Sequence, residues 1–440
     1  MGTTGKTSGF IVLSDLSKIG PYLTELQNRG IAVLAISQPR GSAMVQRGLE
    51  LLGTEGHPFA GLADVALHDG GDLSGIVDQA SRWARDFEIT GVLVAAEVYV
   101  EAGQQICDLL ELPGVGMRAA RVCRNKLLQR RYLPEWSPKS VLVSERTGSA
   151  TYDGPFPAAV KPLDRESSIG VRVVHDASAL AGILEELAPG SRLLVEERVV
   201  GREYNVDSIV LAGEPIVTLL TQKGTNEEST EFFVELVHTT PPVNLDERET
   251  DLISEAQRAV VERLDFDTGF AHAEYRLTED GRVVLMEIAA RAPGDACLPL
   301  YHLATGQAIE PVLIDAAMGL PTGYKASFRR RGRQVYFVHT PGTLLDVRTE
   351  GTNRVRPRWL ADTTGIWPPL RPVGEQAPAT LHELFVLKKR GDLLAPITES
   401  SNRAVTAIFD APLDEDIDII EARIRRSVTI DTEPANTEQA

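Results

Sequence analysis

The chain has 440 residues, 43% of them apolar and 24% charged, and a formal net charge of −17. That is the balance of a globular protein large enough for several cores, and its length sets an expectation of about three domains. An acidic chain without a basic face argues against a nucleic-acid partner, although a local basic cluster can still bind a small anion.

No segment approaches the ~18 consecutive apolar residues of a membrane span. The N-terminus lacks a charged start followed by an apolar run, so no signal peptide is expected. Its "GKT" (5–7) is not a phosphate loop, because that motif needs four residues between its glycines and a preceding strand. Gly2 and Gly5 are separated by Thr3 and Thr4 alone.

"GFIVLS" (9–14), "IAVLAIS" (31–37) and "ITGVLVAAE" (89–97) are nearly continuous apolar runs and read as buried strands. The spacing predicts helices over 18–29 and near 100–111. Apolar strands alternating with helices imply a parallel sheet covered on both faces, so 1–115 reads as an α/β domain. Ligands of such sheets sit at the carboxyl ends of the strands, which makes Glu97 a candidate contact. The plain alternative is a solvated strand-end carboxylate. Cys107, Cys123 and Cys297 have neither metal spacing nor a disulfide pattern, as expected of a reducing, cytoplasmic setting.

After the turn-rich "LPGVG" (112–116), a basic helix is predicted over 118–133. "PFPAAVKPL" (155–163) and "SRLLVEERV" (191–199) read as strands. "REYNVDSIVLAGEPIVTLL" (202–220) reads as a hairpin around Ala212-Gly213, and 221–232 as a mobile polar loop. Helices are predicted over about 248–263 and, broken near Gly306, over 302–320. From about 326 the composition shifts to Arg, Pro and Gly with short strands, as in a small β-rich domain. It ends in a charged helix (413–427), and a disordered tail is expected over 429–440.

Three stretches carry chemistry. In "KPLDRESSIGV" (161–171), Lys161 ends a strand and a turn with Ser167, Ser168 and Gly170 follows. Such a turn can aim backbone N–H groups and hydroxyls at one anion. In "VEERVVGREY" (195–204), Glu196 and Glu197 end a strand and Glu203 lies beyond a glycine. A strand-end backbone can read an adenine edge, and a carboxylate can hold a ribose hydroxyl. In "HAEYRLTEDGRVVLMEIAAR" (272–291), an Asp280-Gly281 turn joins two apolar runs. Counting outward from a two-residue loop sets Glu274 opposite Glu287. Like charges so placed cost roughly 0.2–1 kcal/mol.

Taken in order, Lys126 on its basic helix, Lys161 with its Ser-Gly turn, "VEE…GRE" and the hairpin with its opposed glutamates resemble the ATP-grasp superfamily over about 90–325. "GVLVAAEVYVEAGQQICDLLELPGVG", "FVELVHTTPP" and "EIAARAPGDACLPLYHLATG" look most like its carboxylate–amine ligases, including L-amino-acid ligases. The resemblance implies an α/β multidomain fold in three parts. An N-terminal α/β domain (1–115) precedes an ATP-grasp domain (116–325, lobes about 116–190 and 191–325), and a β-rich C-terminal domain (326–428) follows.

The resemblance also assigns roles. Lys126 and Lys161 match phosphate-binding lysines. Ser167, Ser168 and Gly170 match the loop that closes over the phosphates. Glu196, Glu197 and the Val199 backbone match the adenine-reading hinge, and Glu203 the ribose-binding acid. Glu274 and Glu287 match the ligands of magnesium, with manganese as the alternative ion. Arg291 matches the arginine that steadies the transferred phosphate. Many relatives carry an asparagine ligand two residues after the second glutamate; here that position is Ala289.

The implied reaction is a two-step ligation, in which ATP phosphorylates a small carboxylate and an amine then attacks the acyl-phosphate. Glu235 and His238, three residues apart in "FVELVH", are candidate substrate contacts. His272 is a candidate at the metal site. Lys223 could cap the γ-phosphate, but it reads better as an exposed loop lysine. A homodimer is an expectation from the resemblance alone. Two alternatives stand beside the ligase: a purine-pathway ATP-grasp enzyme, whose sign would be basic residues along the first domain, and a non-catalytic ATP-binding protein.

Overall fold

The computed structural model describes residues 5–39, 49–144, 152–163, 170–186, 191–227, 230, 232–350, 355–362 and 367–434. β1 (Thr7–Leu13), β2 (Ala32–Ser37), β3 (Leu62–Leu67) and β4 (Phe87–Val94) form a sheet in the order β3-β2-β1-β4, with every pairing parallel. β1 is apolar from Phe10 to Leu13 because both its faces are covered there. Phe10 and Val12 join a core with the helix Gly20–Asn28; Ile11 and Leu13 join one with the helices Leu73–Asp86 and Val100–Leu110. β3 and the helix Leu73–Asp86 were not anticipated. β3 is a half-exposed edge strand without a continuous apolar run. The helix did carry a signal: Ile76, Ala80 and Trp83 lie on one stripe, behind an Asp72 cap that accepts from Gly75 N–H.

The basic stretch forms two helices, Met117–Cys123 and Lys126–Tyr132, where one was expected over 118–133. Asn125 makes the break. Its backbone is extended and its side chain caps the second helix by accepting from Leu128 N–H. Lys126 therefore begins a helix.

β5 (Ser140–Ser144), β6 (Ala158–Pro162), β7 (Arg172–Val174) and β8 (Arg192–Glu197) form an antiparallel sheet in the order β5-β8-β6-β7. The largest sheet draws on β9 (Arg202–Leu211), β10 (Glu214–Thr225), β11 (Glu235–Thr240), β12 (Gly269–Leu277), β13 (Val283–Ala289) and β14 (Arg330–Tyr336). Beyond β15 (Gly342–Thr349) the chain adds β16 (Arg358–Trp359), β17 (Thr380–Val386), β18 (Leu393–Leu394), β19 (Val405–Pro412) and β20 (Val428–Glu433). The nine-stranded order is β13-β12-β9-β10-β11-β14-β19-β17-β16, so strands on both sides of residue 326 share one sheet. β18, β15 and β20 form a separate three-stranded sheet.

Two expectations are corrected here. β10 runs to Thr225, so 221–225 is strand and not mobile loop. β20 pairs with β15, so the expected tail over 429–440 is ordered strand as far as Glu433. Residues 435–440 lie outside the described residues.

Gly201, between β8 and β9, has no room for a side chain. A Cβ there would stand 2.5 Å from the Leu277 carbonyl oxygen. Gly201→Ala is expected to cost about 1–3 kcal/mol, because backbone and not a flexible side chain must give way. Chemical denaturation checks this.

Candidate active site

Alternation gives the nine-stranded sheet two unlike faces. Tyr204, Val206, Ala271, Ala273 and Tyr275 pack against the helix Glu247–Arg263. The residues between them, Glu203, Asn205, Asp207, His272, Glu274 and Arg276, point the other way. Cross-strand register then places Glu287 opposite Glu274 and Glu274 opposite Asn205, with Ala289 opposite His272 and His272 opposite Asp207.

Three bulges decide this face. The β12–β13 loop is longer than two residues: Thr278 N–H donates to Arg282 C=O, and Leu277 pairs with Val283. That shifts the register by one from the expected count. An extra residue, Met286, shifts it back and restores Glu274 opposite Glu287. Its carbonyl accepts from Arg130 at 2.6 Å. Gln129 stitches the same helix to the Ile288 backbone, donating to its C=O at 3.0 Å and accepting from its N–H at 3.1 Å. A second bulge, at Leu236, lets Glu235 and His238 share a face although three residues apart. A third, at Ile216, sets Lys223 opposite Glu203.

A cavity of about 460 Å³ opens over this face. It gathers Glu97, Glu235, His238, His272, Glu274, Glu287 and Arg291. Glu97 follows β4 and is no solvated strand end. It is buried, accepting from Arg291 Nε at 2.6 Å and from Arg124 at 3.0 Å. Arg291 also donates to the Ala292 carbonyl at 2.8 Å.

Lys223 is the largest departure from expectation. Its side chain is 1% exposed, and Nζ bridges Glu203 at 2.8 Å, Glu235 at 3.2 Å and Glu274 at 3.2 Å. Burial alone would lower the lysine pKa, but the three carboxylates raise it well above its usual value. Glu203 also receives Arg276 at 2.7 Å. Burial would raise the Glu203 carboxyl, yet Lys223 and Arg276 hold it well below the usual range. Glu274 behaves oppositely: burial, with Glu235, Glu203 and Glu287 nearby, leaves it raised despite Lys223. Glu287 pairs with Lys126 at 3.0 Å, which overcomes burial and lowers it.

Glu196 is fully buried between Arg130 at 2.5 Å and Lys161 at 2.8 Å. Burial pushes its carboxyl up, but the two cations outweigh it and bring it to about 2. The folded pKa lies below the unfolded value of 4.5, so this group stabilises the fold above about pH 4.5 and ceases to as pH falls through about 2. The acid limb of a stability–pH curve is expected to flatten between those values in Glu196→Gln, as thermal unfolding across pH would show. Glu197 receives Arg282 at 3.3 Å, and the Val199 carbonyl accepts from Arg276 at 2.7 Å. Gly170 has φ +75°, the left-handed conformation suited to a tight turn. Ser167 and Ser168 lie outside the described residues.

Residues beyond the expected set complete the cavity. Asp295, with φ +50°, is gripped by Arg403 at 2.9 and 3.1 Å and by the Tyr336 hydroxyl at 2.7 Å. Ser400 donates to Glu235 at 3.2 Å. His238 is buried, which pushes its pKa down against the pull of Asp295 and Glu235, and its Nδ1 has no hydrogen-bond partner. Asp15 and Lys18 come from the carboxyl end of β1. Lys18 lines the cavity next to the parallel sheet.

The donor set suits a hard divalent cation. Two carboxylates face each other across a strand pair, and a neighbour, Asn205, has a buried Oδ1 without a partner. Among the described residues, no three His, Cys, Asp or Glu side chains stand ready to hold a metal ion as they are. Lysines hold both glutamates instead.

Comparison with known proteins agrees with this architecture. Residues 154–300 match the ATP-grasp domain family. The chain is 29% identical over 254 residues to an uncharacterized protein y4rH from Sinorhizobium fredii, covering 55% of this chain and 51% of that protein. It thus spans about half the length of that relative. It is 26% identical over 213 residues to a D-alanine--D-alanine ligase from Aquifex aeolicus, covering 46% and 70%. Its fold matches an L-amino acid ligase from Bacillus licheniformis with a TM-score of 0.75 at 18% identity, over 98% of this chain and 100% of that one. A phosphoribosylglycinamide synthetase from Anaerococcus prevotii follows at 0.68 and 13%, over 97% and 100%. No described helix is long and apolar enough to cross a membrane.

Proposed function

The chain belongs to the ATP-grasp superfamily, and from that premise we propose that it is an ATP-dependent carboxylate–amine ligase, joining a small carboxylic acid, in our reading an amino acid, to an amine such as a second amino acid or a peptide. The observation that carries the reading is the facing pair Glu274 and Glu287, with Lys126 on one side and Lys223 on the other, in a cavity that also holds Arg291.

In this reaction an oxygen of the substrate carboxylate attacks the γ-phosphorus of ATP and the bond to the β-phosphate oxygen breaks. ADP leaves and an acyl-phosphate remains. The amine nitrogen then attacks the acyl carbon, loses a proton, and phosphate departs as the amide forms. No protein nucleophile is required, so catalysis rests on positioning and charge. A divalent ion on Glu274 and Glu287, magnesium in our reading, supplies neutralisation of the phosphate oxygens.

The chain's own residues do the rest. Lys126 and Lys161 offer cations to the phosphates, and the contact of Lys126 with Glu287 is the one the nucleotide and its ion would displace. Glu196 keeps Lys161 aimed, the Glu197–Val199 backbone meets the adenine, and Glu203 the ribose. Arg291 is aimed by buried Glu97, and a planar guanidinium pairs well with phosphate oxygens. Glu235, fixed by Lys223 and Ser400, accepts a substrate ammonium. His238, beside it and kept neutral by burial, is placed to receive the amine proton.

A purine-pathway reaction would need a cationic site for a phosphorylated sugar at the parallel sheet. Lys18 and Arg291 line the cavity on that side, and dependence of phosphate release on an amino acid and an amine separates the two reactions. The test is phosphate release from ATP across pairs of amino acids, with product masses. Release that depends on both an acid and an amine, with an adduct lighter than their sum by one water, is the expected result. ATP binding without release for any pair would count against the ligase.

A further inference from the structure

We infer that His272 is a nitrogen ligand to the divalent ion held by Glu274 and Glu287. The inference deepens the ligase reading and rests on its metal site.

The register creates a four-cornered patch on the site face. Glu274 stands opposite Glu287, and His272 stands opposite Ala289. His272 and Glu274 are two apart on β12, as Glu287 and Ala289 are on β13, so all four side chains project to the same side. Three corners carry metal-ligating groups; the fourth is a methyl group. Directly opposed residues lie about 5 Å apart and their two-residue neighbours about 7 Å, within reach of one ion.

The imidazole is held as a metal-binding histidine is held. Nδ1 lies 2.6 Å from Asp207 Oδ1. Asp207 is itself 1% exposed, and its other oxygen accepts from the Tyr301 hydroxyl at 2.5 Å. Tyr301 in turn accepts from Thr221 at 3.0 Å. A buried carboxylate on one ring nitrogen fixes both the ring orientation and the tautomer, so the lone pair sits on the other nitrogen. That nitrogen, Nε2, has no hydrogen-bond partner among the described residues, and His272 lines the cavity.

The alternative, a packing histidine, does not explain the buried Tyr–Asp chain behind a ring that faces the cavity. A packed imidazole needs no such fixing. Loading the ion requires Glu274 and Glu287 to exchange their lysine partners for it, and the phosphates offer Lys126 an anion in return. A nitrogen donor also shifts preference from magnesium toward manganese and cobalt, following the stability order of divalent ions.

The test uses the whole chain with Mn²⁺ and ADP and needs no substrate. Electron spin echo modulation should show a directly bound imidazole nitrogen in the wild type. The modulation should vanish in His272→Gln and persist in His238→Gln. Asp207→Asn should weaken Mn²⁺ binding about tenfold, read from the free-ion signal, as loss of an orienting partner does elsewhere. A wild-type spectrum without nitrogen coupling overturns the inference, and this holds even if a variant fails to fold. Coupling that survives His272→Gln overturns it as well. Either result, with Mn²⁺ and ADP still bound, leaves the ligase reading standing, whereas failure of acid- and amine-dependent phosphate release removes that reading whatever the spectrum shows.

Discussion

Glu287→Ala is expected to reduce phosphate release by about a thousandfold or more while leaving ADP binding measurable. Glu287 and Glu274 are the two facing carboxylates on the site face of the sheet, and removing one leaves a single anchor for the divalent ion. The lost charge neutralisation is several kcal/mol, and each ~1.4 kcal/mol is a factor of ten in rate. Lys126 loses its contact with Glu287 but starts a helix at the cavity edge and keeps access to the nucleotide phosphates. The nucleotide contacts proposed for Lys161, the Glu197–Val199 backbone and Glu203 are untouched. The effect should therefore fall on kcat far more than on ADP affinity, which steady-state kinetics and calorimetric titration separate. Turnover within tenfold of wild type would remove Glu287 from the metal site.

Lys223→Met is expected to be the most destabilising change at the site. The ammonium bridges three carboxylates at 2.8, 3.2 and 3.2 Å and is itself buried. Without it, Glu235 and Glu274 lose their nearest cation and Glu203 keeps only Arg276. Breaking a buried charge network by removing one partner costs about 3–5 kcal/mol. That corresponds to a fall of roughly 10 °C in the unfolding midpoint.

The pH dependence has a definite sign. In the wild type, Glu203 and Glu235 titrate below their usual value of 4.5, so their contribution is present above that pH and fades as pH falls. In the variant, uncompensated carboxylates titrate above 4.5 in the folded state. Folding is then favoured at low pH and weakened as pH rises through their folded pKa. The gap between the two proteins should be wide at neutral pH and narrow toward pH 4. A gap that widened on acidification would show that Lys223 is not the counter-ion of this cluster.

How legible the site was in the sequence depends on the bulges. Apolar runs and turn residues located β1, β2, β4, β6, β8 and the hairpins, because burial on both faces and positive-φ turns such as Ala212-Gly213 leave compositional marks. The half-exposed β3 left none. The residues of "KPL", "VEE…GRE" and "EIAAR" were legible through their order along the chain.

Which side chains meet was less legible. Counting from Ala212-Gly213 sets Gln222 opposite Glu203; the bulge at Ile216 replaces it with Lys223. This is why the lysine read as an exposed loop residue. At β12–β13 two errors cancelled, a longer loop and a bulge at Met286, and the Glu274–Glu287 pairing came out right. Arg403, Ser400 and Asp207 approach from 94 or more residues away from the groups they hold or through neighbouring strands, and no local pattern marks such contacts.

The central claim is that the substrate carboxylate is activated by phosphoryl transfer. The direct measurement is the mass of the released phosphate when the acid substrate carries ¹⁸O in its carboxylate. Transfer of one carboxylate oxygen to inorganic phosphate, with ADP formed in equal amount, is the predicted result. Unlabelled phosphate, or label appearing in AMP, would contradict it.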